Sequence, residues 1–170
     1  MKLHLLSAVM VFAASGAMAQ HAHSSSLPTE TGQAQFAAIA QIVTMLRNDP
    51  KTDWALVDIR ALRDHLVDMD NVTTKAEVGR PVDGMNVTFS ITGDEMVATS
   101  IQRMVLAHSA MLPSTSDWIV DAKKQDGGAT MTLRLTSLAE VDQVLGLGFF
   151  GLMTIGAHHQ QHHLMIASGK

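Results

Sequence analysis

The sequence predicts an α+β domain in which two N-terminal helices and two antiparallel β-hairpins, forming a four-stranded sheet, pack on a central helix and a long C-terminal helix. Apolar residues recur at the helical period of about 3.6 in several segments. They alternate at a period of about 2 in two other segments, and an Asp-Gly pair typical of a tight turn precedes each of these. With 170 residues, 46% hydrophobic and 16% charged, the chain can bury one sizeable core.

The N-terminus carries the features of a secretory signal peptide. Lys2 precedes an apolar run, and residues 17–19, Ala-Met-Ala, match the small-residue pattern of a cleavage site. We therefore expect residues 1–19 to be removed after Ala19 and the mature protein to be periplasmic or secreted. The apolar run is shorter than the roughly 20 residues that a membrane span needs, so we expect no stable span.

A short polar segment separates the signal peptide from the fold. Residues 20–30 are mostly small and polar and predict a flexible lead-in to a single domain over residues 31–170. His21 and His23 in this lead-in are either a metal-capturing tail or part of a solvated terminus.

The first two elements of the domain are amphipathic helices. The first ends at Asn48-Asp49-Pro50, because proline is disfavoured inside a helix. The apolar stripes comprise Phe36, Ile39, Ile42, Val43 and Leu46 in the first helix, and Ile59, Leu62, Leu66 and Met69 in the second.

The two hairpins show the alternation of half-buried strands. In the first, a strand at about 76–82 leads into the Asp83-Gly84 turn, and Pro81 predicts that this strand lies at a sheet edge. The second spans 118–136 and turns at Asp126-Gly127-Gly128. The alternating apolar positions are Met85, Val87, Phe89 and Ile91 in the first return strand and Ala129, Met131, Leu133 and Leu135 in the second.

A central helix at about 94–112 connects the hairpins. His108 falls at the centre of its apolar face, whereas His65 lies at the flank of the stripe on the second helix. The spacing between His65 and His108 equals the spacing between the two Asp-Gly turns. This indicates either a duplicated helix–hairpin unit or a coincidence. The apolar face of the central helix comprises Val97, Ile101, Met104 and Val105.

The segment from Gln143 to Gly169 contains no charged residue and predicts a helix central to the domain. Each glycine inside a helix costs about 1 kcal/mol relative to alanine. We therefore expect either another element or a ligand to pack closely on these glycines, or part of the segment not to be helical. The glycines are Gly146, Gly148, Gly151 and Gly156.

A histidine cluster follows these glycines. Residues four apart on a helix are neighbours, so the cluster contains two pairs that could chelate a metal ion. Extending the helical phase from Leu145 places His159 and His163 toward the core and His162 at its border. The cluster consists of His158, His159, His162 and His163.

These positions predict a metal site with His108, His159 and His163 as its inner ligands. His65 or His162 is the expected fourth ligand, and His158 is a further candidate. Imidazoles suit Zn, Cu or Ni, and we expect Zn or Cu first. The H-x-x-x-H spacing after a distant helical His resembles that of the DinB-like metal-binding helical bundles, although two hairpins interrupt the helices here.

Composition narrows the chemistry further. With no Cys, the chain cannot form disulfides, thiolate zinc sites or covalently attached c-type haem. A net charge of −4 argues against nucleic-acid binding. Met69, Met104 and Met111 lie near His65 or His108 and are either thioether ligands for Cu(I) or core-filling residues.

The sequence favours a binding protein over an enzyme, because no catalytic triad, carboxylate dyad or phosphate loop is recognisable. Storage, chaperone and sensing roles all fit a metal-binding protein. One alternative is noncovalent haem binding, with His108 or a clustered His as axial ligand and Phe149 and Phe150 lining the pocket. Another is a structural or partner-binding exported domain without a metal, and a homo-oligomer is left open.

Overall fold

The computed structural model describes residues 34–114, 116–156 and 159–170. The expected signal peptide at 1–19 and lead-in at 20–30, together with His21, His23 and His158, lie outside the described residues. Helices and an antiparallel sheet within these ranges confirm the α+β fold class. The elements are α1 Ala34–Asn48, α2 Ile59–Lys75, β1 Glu77–Gly79, β2 Val82–Asp83, β3 Asn86–Thr92, α3 Glu95–Met111, β4 Ile119–Gln125, β5 Gly128–Arg134, α4 Leu138–Leu152 and α5 His159–Ala167.

The sheet has the strand order β1-β3-β5-β4, and β2 pairs with the far end of β3 along the same edge as β1. β1 and β2 therefore occupy one strand position, interrupted at Pro81, which has no N–H to donate to a ladder. The Pro81 carbonyl still accepts a hydrogen bond from the Thr88 N–H at 3.1 Å. The edge position predicted from Pro81 is confirmed.

The return strands of the two hairpins, β3 and β5, pair at the centre of the sheet. Their inward side chains are opposite each other in the register Val87↔Leu133, Phe89↔Met131 and Ile91↔Ala129, and all six are fully buried. The predicted alternation is therefore confirmed from Val87 onward. The prediction for Met85 is wrong, because this residue lies in the turn before β3 and is 39% exposed.

Two hydrophobic clusters divide the interior. The larger lies between the sheet and the helices α3 and α4, and it includes Phe89, Val105 and Phe149. The smaller joins α1, α2 and α5 through Ile42, Leu46, Leu62, Leu66 and Ala167. Because α2 also packs along α3, the space between α2, α3 and α5 lies where the two clusters meet.

Side-chain caps begin three of the helices. Asp58 accepts from the Ala61 N–H at the start of α2, and Asp94 accepts from the Val97 N–H at the start of α3. A capping box of Ser137 and Glu140 begins α4. These local bonds hold the helix starts independently of the tertiary packing.

The predicted long last helix is divided in two. Gly148 adopts φ 60° and ψ −177°, which kinks α4, and Gly156 adopts φ 65° before α5 begins at His159. Glycine reaches these positive φ values without a Cβ clash, so the glycine-rich segment turns instead of continuing as a helix. The helical phase from Leu145 therefore does not extend to the histidines, and the packing of α5 sets their direction.

Within the described ranges, no helix has both the length and the apolarity needed to cross a membrane.

Candidate metal centre

His65 on α2 faces two histidines of α5. The Asp58 N–H donates a 2.8 Å hydrogen bond to the Ala167 carbonyl, which joins the start of α2 to the end of α5. The two helices consequently run antiparallel. The ring centroid of His65 lies 4.9 Å from that of His162 and 5.5 Å from that of His163, both in edge-on orientation.

These separations match those of imidazoles that share a metal ion. A tetrahedral ion with metal–nitrogen bonds of about 2.0–2.1 Å places the centroids of two bound imidazoles roughly 5 Å apart. The rings on α2 and α5 are therefore as close as two imidazoles that share an ion, and their edge-on orientation is that of direct ring contact.

His163 is buried, and no described residue makes a hydrogen bond to its ring. Its side chain is 4% exposed, and neither Nδ1 nor Nε2 has a partner within the described residues. Leaving a buried polar atom unsatisfied costs about 1–3 kcal/mol. The ring of His159 stacks on the ring of His163, with centroids 6.2 Å apart. We define His65, His159, His162 and His163 as the imidazole cluster.

His108 differs from His163 because it is both buried and paired. Its Nε2 lies 3.1 Å from the carbonyl oxygen of Leu152, at the end of α4. A carbonyl can only accept, so Nε2 carries the proton and Nδ1 keeps a free lone pair. Metal-binding histidines commonly donate their second ring N–H to a backbone carbonyl in this way.

A cavity of about 150 Å³ lies beside the imidazole cluster. Side chains of α2, α3 and α5 surround it, together with the chain around the end of α4. It is lined by His65, His108, His159 and His162, by Met69, Met104, Met111 and Met153, and by Val72, Thr73, Ala107, Phe150 and Thr154.

Burial favours the neutral form of His65, His108, His162 and His163. The pKa of His65 is lowered from 6.5 to about 4 by burial and by its neighbours His162 and His163, against a smaller opposing effect of Asp68. Burial likewise lowers the pKa values of His108, His162 and His163. A neutral imidazole offers a lone pair, so these rings can bind a metal ion at neutral pH.

The rings of the imidazole cluster make three pairwise contacts among the described residues: His65 with His162, His65 with His163, and His159 with His163. In residues 34–114, 116–156 and 159–170, no three His, Cys, Asp or Glu side chains are arranged so that they could hold a metal ion as they stand. A third ligand would have to come from rotation of another ring about its side-chain torsions.

The structure groups the predicted histidines differently from the sequence. His159 and His163 lie together, as predicted, but His65 contacts His162 and His163 directly although it was placed only at the flank of its helix. His108 lines the same cavity from α3, with one nitrogen on Leu152.

A second group of buried polar residues lies beside the imidazole cluster, and no pattern in the sequence predicted it. Asp68 accepts from Arg103 Nε at 2.6 Å and from Ser100 Oγ at 2.7 Å, and Ser100 accepts from Asn71 Nδ2 at 3.1 Å. We call these four residues the Asp68 network. Asp68 follows His65 by one helical turn, but an acidic residue in an amphipathic pattern predicts an exposed position, so its burial was missed.

Comparison of the chain with protein-family models, with curated proteins and with solved structures gives no match.

Proposed function

We propose that this chain is an exported metal-binding protein that holds a transition-metal ion with the imidazoles of α2 and α5. The observation that carries the proposal is His163, a buried imidazole whose two nitrogens have no partner among the described residues and which lies next to two other rings. Buried polar groups in native proteins are nearly always paired, and an unpaired one needs a physical reason.

A bound metal ion would give a ring nitrogen of His163 a partner, which apolar packing does not. It would bind one nitrogen of His163 together with a nitrogen of His65, whose rings already lie 5.5 Å apart. His162 and His159, whose rings contact His65 and His163 respectively, are the adjacent candidates for a third ligand. His108 contributes from across the cavity through Nδ1, the nitrogen that does not bind Leu152.

The function is binding, in a storage, chaperone or sensing role. Export rests on the sequence features of residues 1–19. In an oxidising compartment, a site made only of imidazole and thioether needs no thiol that could form a disulfide.

The test is metal titration of the mature chain, made without an affinity tag. We expect one Zn or Cu ion per chain and a rise in melting temperature on addition of metal. The variant H65A/H163A should bind at least about 100-fold more weakly, because it removes both rings of the central pair. The matched control is H21A/H23A, which removes two histidines outside the domain and should bind like the wild type.

Two results would count against this function. Equal losses in H65A/H163A and H21A/H23A would indicate nonspecific chelation by any histidine. Absence of bound metal, with no change in melting temperature, would favour a structural or partner-binding domain. Circular dichroism of both metal-free variants checks that each one folds.

Noncovalent haem is less well supported than a metal ion. A cavity of about 150 Å³ is the size that accommodates benzene, whereas pockets for larger ligands are about 300–1,000 Å³. A Soret band in protein purified from cells, or on addition of haem, would favour haem instead.

A further inference from the structure

Methionine thioethers line the same cavity as the histidines. Met69 lies one turn after His65 on α2, and Met104 lies one turn before His108 on α3, so each pair shares a helix face. Met111 and Met153 line the cavity as well. Soft donors thus gather at one place with imidazoles from three helices.

The cavity is also poor in negative charge. None of the described residues that line it is Asp or Glu, and Asp68 nearby is already bonded to Arg103 and Ser100. A divalent ion bound only by neutral ligands would keep its full double charge in an apolar cavity, which is unfavourable without a counter-charge. A monovalent ion carries a smaller penalty.

The thioethers and the lack of negative charge both favour a soft, monovalent metal ion. Thioether ligands select Cu(I), whereas Zn and Ni sites prefer imidazole, carboxylate or thiolate. We propose that the ion is cuprous copper, bound by imidazoles of the cluster together with the thioethers of Met69 and Met104. This inference rests on the proposed function and adds the identity of the ion.

The experiment compares Cu(I) with Zn(II) on the mature, tag-free chain. Cu(I) is titrated anaerobically, with ascorbate as a thiol-free reductant, against bicinchoninate as a chromophoric competitor, and Zn(II) is titrated in parallel. We expect one Cu(I) per chain. The variant M69L/M104L should lose about tenfold or more in Cu(I) affinity and change Zn(II) affinity by less than about threefold.

Leucine is a suitable replacement because exchange of Met for Leu conserves volume and usually costs less than about 1.5 kcal/mol. The matched control is M45L/M165L, which alters two methionines that do not line this cavity and are 38% and 46% exposed. It should bind both ions like the wild type. X-ray absorption of the Cu(I)-loaded wild type is independent of any variant and should show sulfur as well as nitrogen ligands.

The outcomes separate the two proposals. Binding of Zn(II) without Cu(I), or Cu(I) binding without sulfur ligands, would overturn copper–thioether binding and leave the metal function standing. Equal losses of Cu(I) in M69L/M104L and M45L/M165L would assign the effect to packing and also overturn it. If neither ion binds, both proposals fail.

Discussion

Two polar clusters lie next to each other where α2 meets α3 and α5, and they differ in one respect. In the Asp68 network, the buried carboxylate bonds to Arg103 and Ser100, and Ser100 bonds in turn to Asn71. In the imidazole cluster, His163 is about as buried, but neither ring nitrogen has a partner in the part of the chain that the structure describes. Closely similar burial therefore accompanies a satisfied group in one case and an unsatisfied group in the other.

This difference supports a structural role for the Asp68 network and the proposed metal-binding role for the imidazole cluster. A satisfied network contributes to the folded state as it stands, and removing one member takes a hydrogen-bond partner from its direct neighbours. An unsatisfied group is a cost in the free protein, which a ligand can relieve. Substitutions in the two clusters should therefore change stability in opposite directions.

The largest expected effect is in the Asp68 network. D68A should lower the free energy of unfolding by about 2–3 kcal/mol, because it leaves the buried Ser100 hydroxyl without its carboxylate acceptor, while Arg103 is 60% exposed and regains water. The control D64A removes a carboxylate that is 55% exposed and pairs with surface arginines, and it should cost less than about 1 kcal/mol. Urea unfolding measures both, and equal effects would contradict a structural role for the network.

The second prediction compares two buried histidines. In the metal-free protein, H163L should leave stability unchanged or raise it by about 1 kcal/mol, because it removes unsatisfied nitrogens. H108L should lower stability by about 1–2 kcal/mol, because it leaves the Leu152 carbonyl unpaired. With metal present, H163L should lose the rise in melting temperature that the wild type shows. A large loss of metal-free stability in H163L would mean that its ring is part of the packing.

The third prediction concerns acid stability of the metal-free protein. His65 has a pKa of about 4 in the folded protein and about 6.5 in the unfolded chain, so the unfolded chain takes up its proton first as the pH falls. The free energy of unfolding should therefore be highest above about pH 6.5. It should fall by roughly 1–3 kcal/mol between about pH 6.5 and 4, after allowance for the partial exposure of His65. Burial of His108, His162 and His163 acts in the same direction.

Thermal unfolding at several pH values between 4 and 7 measures this loss. H65Q removes the largest contribution and should flatten the profile. An unchanged slope in H65Q would show that His65 does not carry the pH dependence. The lowered pKa also predicts that metal binding persists below pH 6.5, where free imidazole is already protonated.

The smallest effect is expected at the rim of the Asp68 network. Lys75 Nζ donates to Asn71 Oδ1 at 2.9 Å from an exposed position. K75A should therefore cost about 0.5 kcal/mol, since water replaces the lost donor. A cost close to that of D68A would show that Lys75 belongs to the buried part of the network.

Local patterns in the sequence were sufficient for most elements of the fold. The alternation in β3 and β5, the Asp-Gly turns, the Pro81 edge and the inward direction of His108 depend on the nearest neighbours along the chain and are confirmed. The duplicated helix–hairpin unit remains a prediction. The glycines of the last segment were identified as unfavourable in a helix, yet the sequence left open where the helix would break.

The sequence by itself determined the elements and the residue types that can bind a metal, because periodicity, turn chemistry and ligand chemistry are local properties. Only the tertiary structure decided which histidines meet. The chain turns at Gly148 and Gly156, so α5 does not continue the helical phase of α4. The packing of α5 against α1 and α2 then brings His162 and His163 next to His65. The burial of Asp68 was decided in the same way, because Arg103 and Ser100 reach it from another helix. Contacts between distant segments depend on the path of the whole chain, which no local pattern encodes.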